Sequence, residues 1–171
     1  MTHLEKLKNK LVDLKTAQEK VQQWKNEGKK IVFTNGCFDI LHRGHVFYLA
    51  KSAELGDKMI LGLNSDASVR RQNKGPKRPI NDEQSRAFLL AALDFTDLII
   101  IYDDETPLQL IKTLLPDVLV KGADYNADET DENKKTFIVG SKVVRKNGGS
   151  VKTVELEQGF STTNIVKKLR S

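Results

Sequence analysis

The chain has 171 residues, 39% hydrophobic and 30% charged, with a formal net charge of +5 from 28 basic and 23 acidic side chains. That balance fits one globular domain with a sizeable core and excludes a fibrous or wholly disordered chain. A single cysteine, Cys37, excludes an internal disulfide framework and a multi-cysteine zinc site, and apolar runs such as "AFLLAAL" are too short to span a bilayer.

Leu4, Leu7, Leu11 and Leu14 recur at helical spacing, so residues 1–15 are expected to form an amphipathic helix. The opening "MTHLEKLKNK" lacks the apolar core of a secretory leader, which points to the cytoplasm. "TAQE" (Thr16 to Glu19) has the capping-box pattern that opens a second helix, and Gly28 is placed to close it. "KIVFTN" then reads as a buried strand, "GHVFYLAKSAELG" as a helix and "KMILGLN" as a second strand. The basic stretch "SDASVRRQNKGPKRPIND" reads as a loop, because Gly75, Pro76 and Pro79 oppose regular structure. Helix "DEQSRAFLLAAL", strand "DLIIIY", helix "TPLQLIKTLL" and strand "DVLVKG" follow. After the polar segment "ADYNADETDENK" come helix "FIVGSKVVRKNG", strand "SVKTVEL" and a last helix, "STTNIVKKL".

Strands that alternate with helices imply right-handed crossovers and a parallel sheet covered on both faces. The expected fold is therefore α/β, a doubly wound parallel sheet in a single domain (29–171) with an N-terminal helical extension (1–28). Ligands bind such sheets at the carboxyl ends of the strands. The loops after Asn35, Asn64, Tyr102, Val120 and Leu156 are the ones to inspect.

The first of these carries "TNGCFDILHRGH". Gly36 permits a tight turn, and Gly44 with His45 lies at a helix start, where unpaired N–H groups and the dipole favour an anion. His42 and His45, three apart, can face the same way and donate to phosphate oxygens. A zinc reading needs a third ligand. The only other histidine is His3 in the tail, and Asp39 alone makes a weak partner. A loop-capping role explains either histidine singly and their pairing less well. Ser161 opens the last helix directly after Gly159 and Phe160, as an N-cap with exposed N–H groups beyond it. "NKGPKRP" supplies Lys74, Lys77 and Arg78 on a loop expected to overhang the strand ends, where it can neutralise charge at a phosphate site; a solvated charge run is the alternative for any one of them.

"TNGCFDILHRGH" resembles the H-x-G-H signature of the nucleotidyltransferase superfamily, and "GFSTTNIVKKL" resembles the serine/threonine-rich second signature of its cytidylyltransferase-like branch. "LGLNSDASVRR", "KRPINDEQSR", "PDVLVKGADY" and "GSKVVRKNGGSV" occur between them in one consistent order. Together these blocks, spanning Lys29 to Leu169, resemble the stand-alone heptose 1-phosphate adenylyltransferases of bacterial lipopolysaccharide assembly.

The resemblance implies a Rossmann-like domain that transfers AMP from ATP to a heptose 1-phosphate, releasing pyrophosphate. It assigns His42, His45, Lys74 and Arg78 to catalysis. It assigns the nucleotide to Thr34, Asn35, Gly36 and Phe38 at the first strand end, the histidine pair, Lys121, Gly122 and Asp124, and Ser161, Thr162 and Thr163. Asp39, Asn64, Asp66 and Lys77 fall to the acceptor. Mg²⁺ is expected to ride mainly on the ATP phosphates with few dedicated protein ligands. Expected partners are ATP and a sugar 1-phosphate, a second copy in a homodimer and a separate upstream sugar kinase, with neither nucleic acid nor membrane. The alternative keeps the chemistry and changes the substrates to CTP and glycerol 3-phosphate or another alcohol phosphate. A nucleic-acid module would need interleaved aromatics or a reading motif, which the basic excess lacks. Two positions stand out: Arg43, where relatives are often small or apolar, and Arg86, which reads as a structural partner of the basic loop.

Overall fold

In the computed structural model, which describes residues 1–72 and 77–170, five short apolar runs pair edge to edge. They are β1 (Ile31–Gly36), β2 (Lys58–Asn64), β3 (Leu98–Tyr102), β4 (Val118–Gly122) and β5 (Ser150–Val154). All pair in parallel, in the order β3-β2-β1-β4-β5. Among the described residues eight helices connect and cover them: α1 (His3–Lys8), α2 (Leu14–Asn26), α3 (Arg43–Ala53), α4 (Asp66–Arg71), α5 (Glu83–Ala91), α6 (Leu108–Leu114), α7 (Ser141–Lys146) and α8 (Thr162–Arg170).

Side-chain alternation along β1 explains the two layers. Ile31 and Phe33 join Ala17 and Val21 of α2, Ile111 of α6 and Val144 of α7. Val32 faces the other way, toward Leu49 of α3 and Leu90 of α5. Both faces of the sheet are thus buried, as a parallel sheet requires. Winding reverses between β1 and β4, and the crevice at that switch point opens above Gly36 and Gly122.

The N-terminal segment packs on this sheet. Lys10 to Val12 runs extended beside β3: Val12 N–H donates to the Ile99 carbonyl at 3.1 Å, and Ile99 N–H to that of Lys10 at 2.8 Å. That edge pairing ends the first helix at Lys8, short of the expected 1–15 span. The second helix starts earlier than Thr16, because the Asp13 carboxylate caps it by accepting from Thr16 N–H at 2.7 Å. Gly28 (φ 73°) closes it as expected.

Two further boundaries move. The stretch read as a loop after Asn64 opens with α4, whose N-cap Ser65 accepts from Ser68 N–H at 3.0 Å and whose Val69 is buried. The helix expected from Phe137 begins only at Ser141, after Gly140 at φ 89°.

Candidate active site

The chain leaves β1 at Gly36 and passes through Cys37, Phe38 and Asp39 to α3. Phe38 holds a left-handed backbone (φ 45°), uncommon for a residue with a side chain. Its ring meets His45 edge-on, with centroids 5.2 Å apart. His42 is the N-cap of α3: its Nδ1 accepts from the His45 backbone N–H at 3.3 Å. A nitrogen that accepts carries no proton, so the neutral ring is protonated at Nε2. Capping therefore occupies Nδ1 and leaves Nε2–H as the donor the ring can offer elsewhere.

The rings of His42 and His45 stack with centroids 3.8 Å apart and planes inclined by 21°. Gly44 between them makes this possible. A Cβ there would lie 3.1 Å from the His42 ring and 3.0 Å from the Phe160 Cβ, so a side chain would push one of them away.

Burial lowers the His42 pKa. Burial, and next the neighbouring His42, push His45 down to about 4, against a weak upward pull from the Ile40 carbonyl. Both rings are accordingly neutral donors at pH 7 before any anion binds. Between pH 6.5 and about 4 the unfolded chain binds more protons at position 45 than the folded chain does. Stability therefore falls as pH falls through that window, with His45 contributing a loss of about 2–3 kcal/mol at pH 4.5 relative to pH 7. Urea melts of wild type and His45→Gln at the two pH values measure this as the difference between their slopes; parallel profiles would contradict it.

Two other walls meet the histidines. At the N-terminus of α8, Ser161 Oγ accepts from Asn164 N–H at 3.1 Å. The N–H groups of Thr162 and Thr163 lie in the first turn, where a helix offers them no internal partner. At the end of β4, Lys121 Nζ lies 3.5 Å from the Asn35 carbonyl and 5.3 Å from the Tyr125 ring centroid. The three walls enclose a cavity of about 690 Å³, the size of small-molecule sites.

Asn35, Gly36, Phe38, Asp39, His42, His45, Asn64, Arg78, Lys121, Gly122, Asp124, Ser161, Thr162 and Thr163 all line it. Three sequence assignments do not. Thr34 is fully buried, its hydroxyl bonded to Tyr48 Oη at 2.7 Å and donating to the Val120 carbonyl at 2.9 Å. Asp66, expected to meet the acceptor, instead takes the Arg86 guanidinium at 2.8 Å. Lys77 stands on the approach to Arg78 and is not part of the lining. Lys74 lies outside the described residues.

Asp39 lines the cavity but is almost wholly buried. Its carboxylate accepts from Arg78 Nε, from Ile80 N–H at 2.7 Å and from Asn81 N–H at 3.0 Å. It shapes the loop that carries Arg78, and its oxygens are already engaged. The residues that sequence reading missed are Cys37, Tyr48, Gln72, Tyr125, Leu156, Glu157 and Phe160. Tyr125 and Glu157 each sit three residues beyond a strand end, the one positional signal that could have found them.

Among the described residues no group of three or more His, Cys, Asp or Glu is placed to hold a metal ion. Of the cavity carboxylates, Asp39 is engaged as above and both Glu157 oxygens face Arg43, which leaves Asp124. That donor set does not fit a resident Mg²⁺.

The sequence profile of the cytidylyltransferase-like family matches residues 33–168, from within β1 into α8. The chain belongs to the cytidylyltransferase-like family. The cytidylyltransferase-like domain is 54% identical to the bifunctional protein HldE of Geobacter metallireducens over 149 residues, 87% of this chain and 29% of that protein. It is 50% identical to HldE of Mesorhizobium japonicum over 164 residues, 96% of this chain and 31% of that protein. The chain thus spans about a third of the length of the curated relatives it matches. Among solved structures, the lipopolysaccharide core biosynthesis protein of Thermoplasma volcanium superposes with a TM-score of 0.57 at 29% identity, covering 76% of this chain and 98% of that one. A pantoate-beta-alanine ligase of Francisella tularensis shares the fold at 13% identity, with a TM-score of 0.57 over 94% of this chain and 76% of its own. No helix among the described residues is long and apolar enough to cross a membrane.

Proposed function

We propose that this cytidylyltransferase-like domain is an adenylyltransferase that transfers AMP from ATP to heptose 1-phosphate, giving ADP-heptose and pyrophosphate. One observation carries the reading: the stacked His42–His45 pair and the α8 N-terminus, far apart in sequence, line one cavity above the β1–β4 switch point. Identity near 50% to HldE proteins and the likeness to a lipopolysaccharide core biosynthesis protein support the heptose acceptor.

In the proposed reaction an oxygen of the sugar phosphate attacks the α-phosphorus of ATP in line. The bond from the α-phosphorus to the bridging oxygen breaks, and that oxygen leaves with pyrophosphate. The acceptor arrives as an anion, so no side chain has to serve as nucleophile. Positioning and charge stabilisation make up the catalysis. His42 Nε2–H and the His45 ring donate to the leaving phosphates, as do the N–H groups of Thr162 and Thr163. Arg78 is held toward the same space by Asp39, and the β4 end, with Lys121, Gly122 and Asp124, takes the nucleoside. Mg²⁺ comes with the triphosphate. The reading also carries a cytoplasmic location, a homodimer, a sugar kinase that supplies the 1-phosphate, and residues 29–171 as the catalytic unit with 1–28 packed against it.

The test is pyrophosphate release across ATP, CTP and GTP, each with heptose 1-phosphate, other sugar 1-phosphates and glycerol 3-phosphate. Turnover with ATP and heptose 1-phosphate is the expected result. Turnover confined to CTP with glycerol 3-phosphate would replace it with the cytidylyl alternative.

A further inference from the structure

Arg43 stands between the two histidines in sequence, but its guanidinium engages the opposite wall of the site. Its Nε donates to Glu157 Oε2 at 3.0 Å and its Nη2 meets Glu157 Oε1 at 2.6 Å, a two-pronged pair. The guanidinium carbon also lies 5.1 Å from the centre of the Phe160 ring. Glu157 and Phe160 belong to the connection that delivers Ser161 to the start of α8.

Charge makes this contact more than a staple. Arg43 is 70% exposed and lies outside the cavity lining, whereas Glu157 is 19% exposed and lines it. The neighbouring walls offer the histidine pair, Lys121 and the α8 N-terminus, all suited to an anion. An unpaired carboxylate among them would repel a polyphosphate, and both of its oxygens face Arg43.

We propose that Arg43 is a positioning residue that cancels the Glu157 charge at the cavity wall and holds residues 157–160 against α3. The two halves of the phosphate site thereby face one another. The kinetic part of this inference rests on the adenylyl-transfer reading; the holding part does not.

Amide hydrogen exchange read by mass spectrometry, together with steady-state kinetics in ATP, tests it. Arg43→Ala is expected to speed exchange within residues 157–163 and to raise the KM for ATP about tenfold, with a smaller change in kcat. Adding Glu157→Gln to Arg43→Ala should recover most of the KM, because the repelling charge is gone. Arg43→Lys, which keeps the charge without the fork, should fall between wild type and Arg43→Ala. Wild-type exchange and KM in Arg43→Ala would overturn the proposal, as would a double variant no better than Arg43→Ala. Absence of ATP turnover in the wild type would sink the adenylyl-transfer reading, and the exchange rates would still decide whether Arg43 holds the segment.

Discussion

Replacing His42 by Asn is expected to lower turnover by about a hundredfold or more while leaving the melting temperature close to that of wild type. The separation follows from the two nitrogens of His42. Nδ1 caps α3, and Asn is among the best residues for that position, so the helix start survives. Nε2–H has no equivalent in Asn, so the donor that the proposed reaction places on the phosphates disappears, and losses of one such donor cost about 10²–10³-fold in turnover. Ala at the same position removes both functions and would add a stability loss of about 1 kcal/mol, which is why Asn is the cleaner probe. His45→Asn should lose turnover similarly and also leave Phe38 without its edge-on ring partner. Steady-state pyrophosphate release and thermal melts on the same preparations check both variants. Near-normal kcat in His42→Asn would mean that the imidazole is only a helix cap.

How much of this arrangement could be read from the chain depends on the distance over which each feature is encoded. The order of strands and helices was legible because each is a run of neighbouring residues with its own period, as in "KMILGLN". The glycine-bracketed turn after β1 and the N-cap at Ser161 were legible for the same reason. Boundaries were lost where tertiary pairing overrode a local pattern. Lys10 to Val12 is periodic with a helix but is drawn into extended pairing by Ile99. Among side chains, Asp39 looked like an acceptor contact because it follows the signature turn. Its partners are Arg78, Ile80 and Asn81, about forty residues on in the chain. Arg43 was unexplained because its partner lies 114 residues away. No local spacing rule reports such pairs; only the fold does.

The largest stability loss is expected from Arg86→Met. Arg86 lies on α5 with its side chain wholly buried, and three acceptors surround it. Nε donates to the Asn81 carbonyl at 3.0 Å, Nη1 to the Cys37 carbonyl at 2.6 Å and Nη2 to Asp66 Oδ1 at 2.8 Å. The first acceptor belongs to the loop after Arg78, the second to the turn before the histidines, and the third to α4. One guanidinium thus ties together three segments at the carboxyl end of the sheet. A methionine fills much of the volume but leaves two carbonyls and a carboxylate without their donor. Removing one partner from a buried ion pair costs about 3–5 kcal/mol, a large part of the 5–15 kcal/mol that holds a typical domain. Asp66→Asn should cost less, because its side chain is 22% exposed and water can replace part of the interaction. Arg86→Lys should fall between the two, since one ammonium cannot serve three acceptors spread across a planar fork. Urea denaturation reads the series as a fall in midpoint at constant slope. A midpoint for Arg86→Met within experimental error of wild type would show that these three segments hold their places without the guanidinium, and the site would need another explanation for its order.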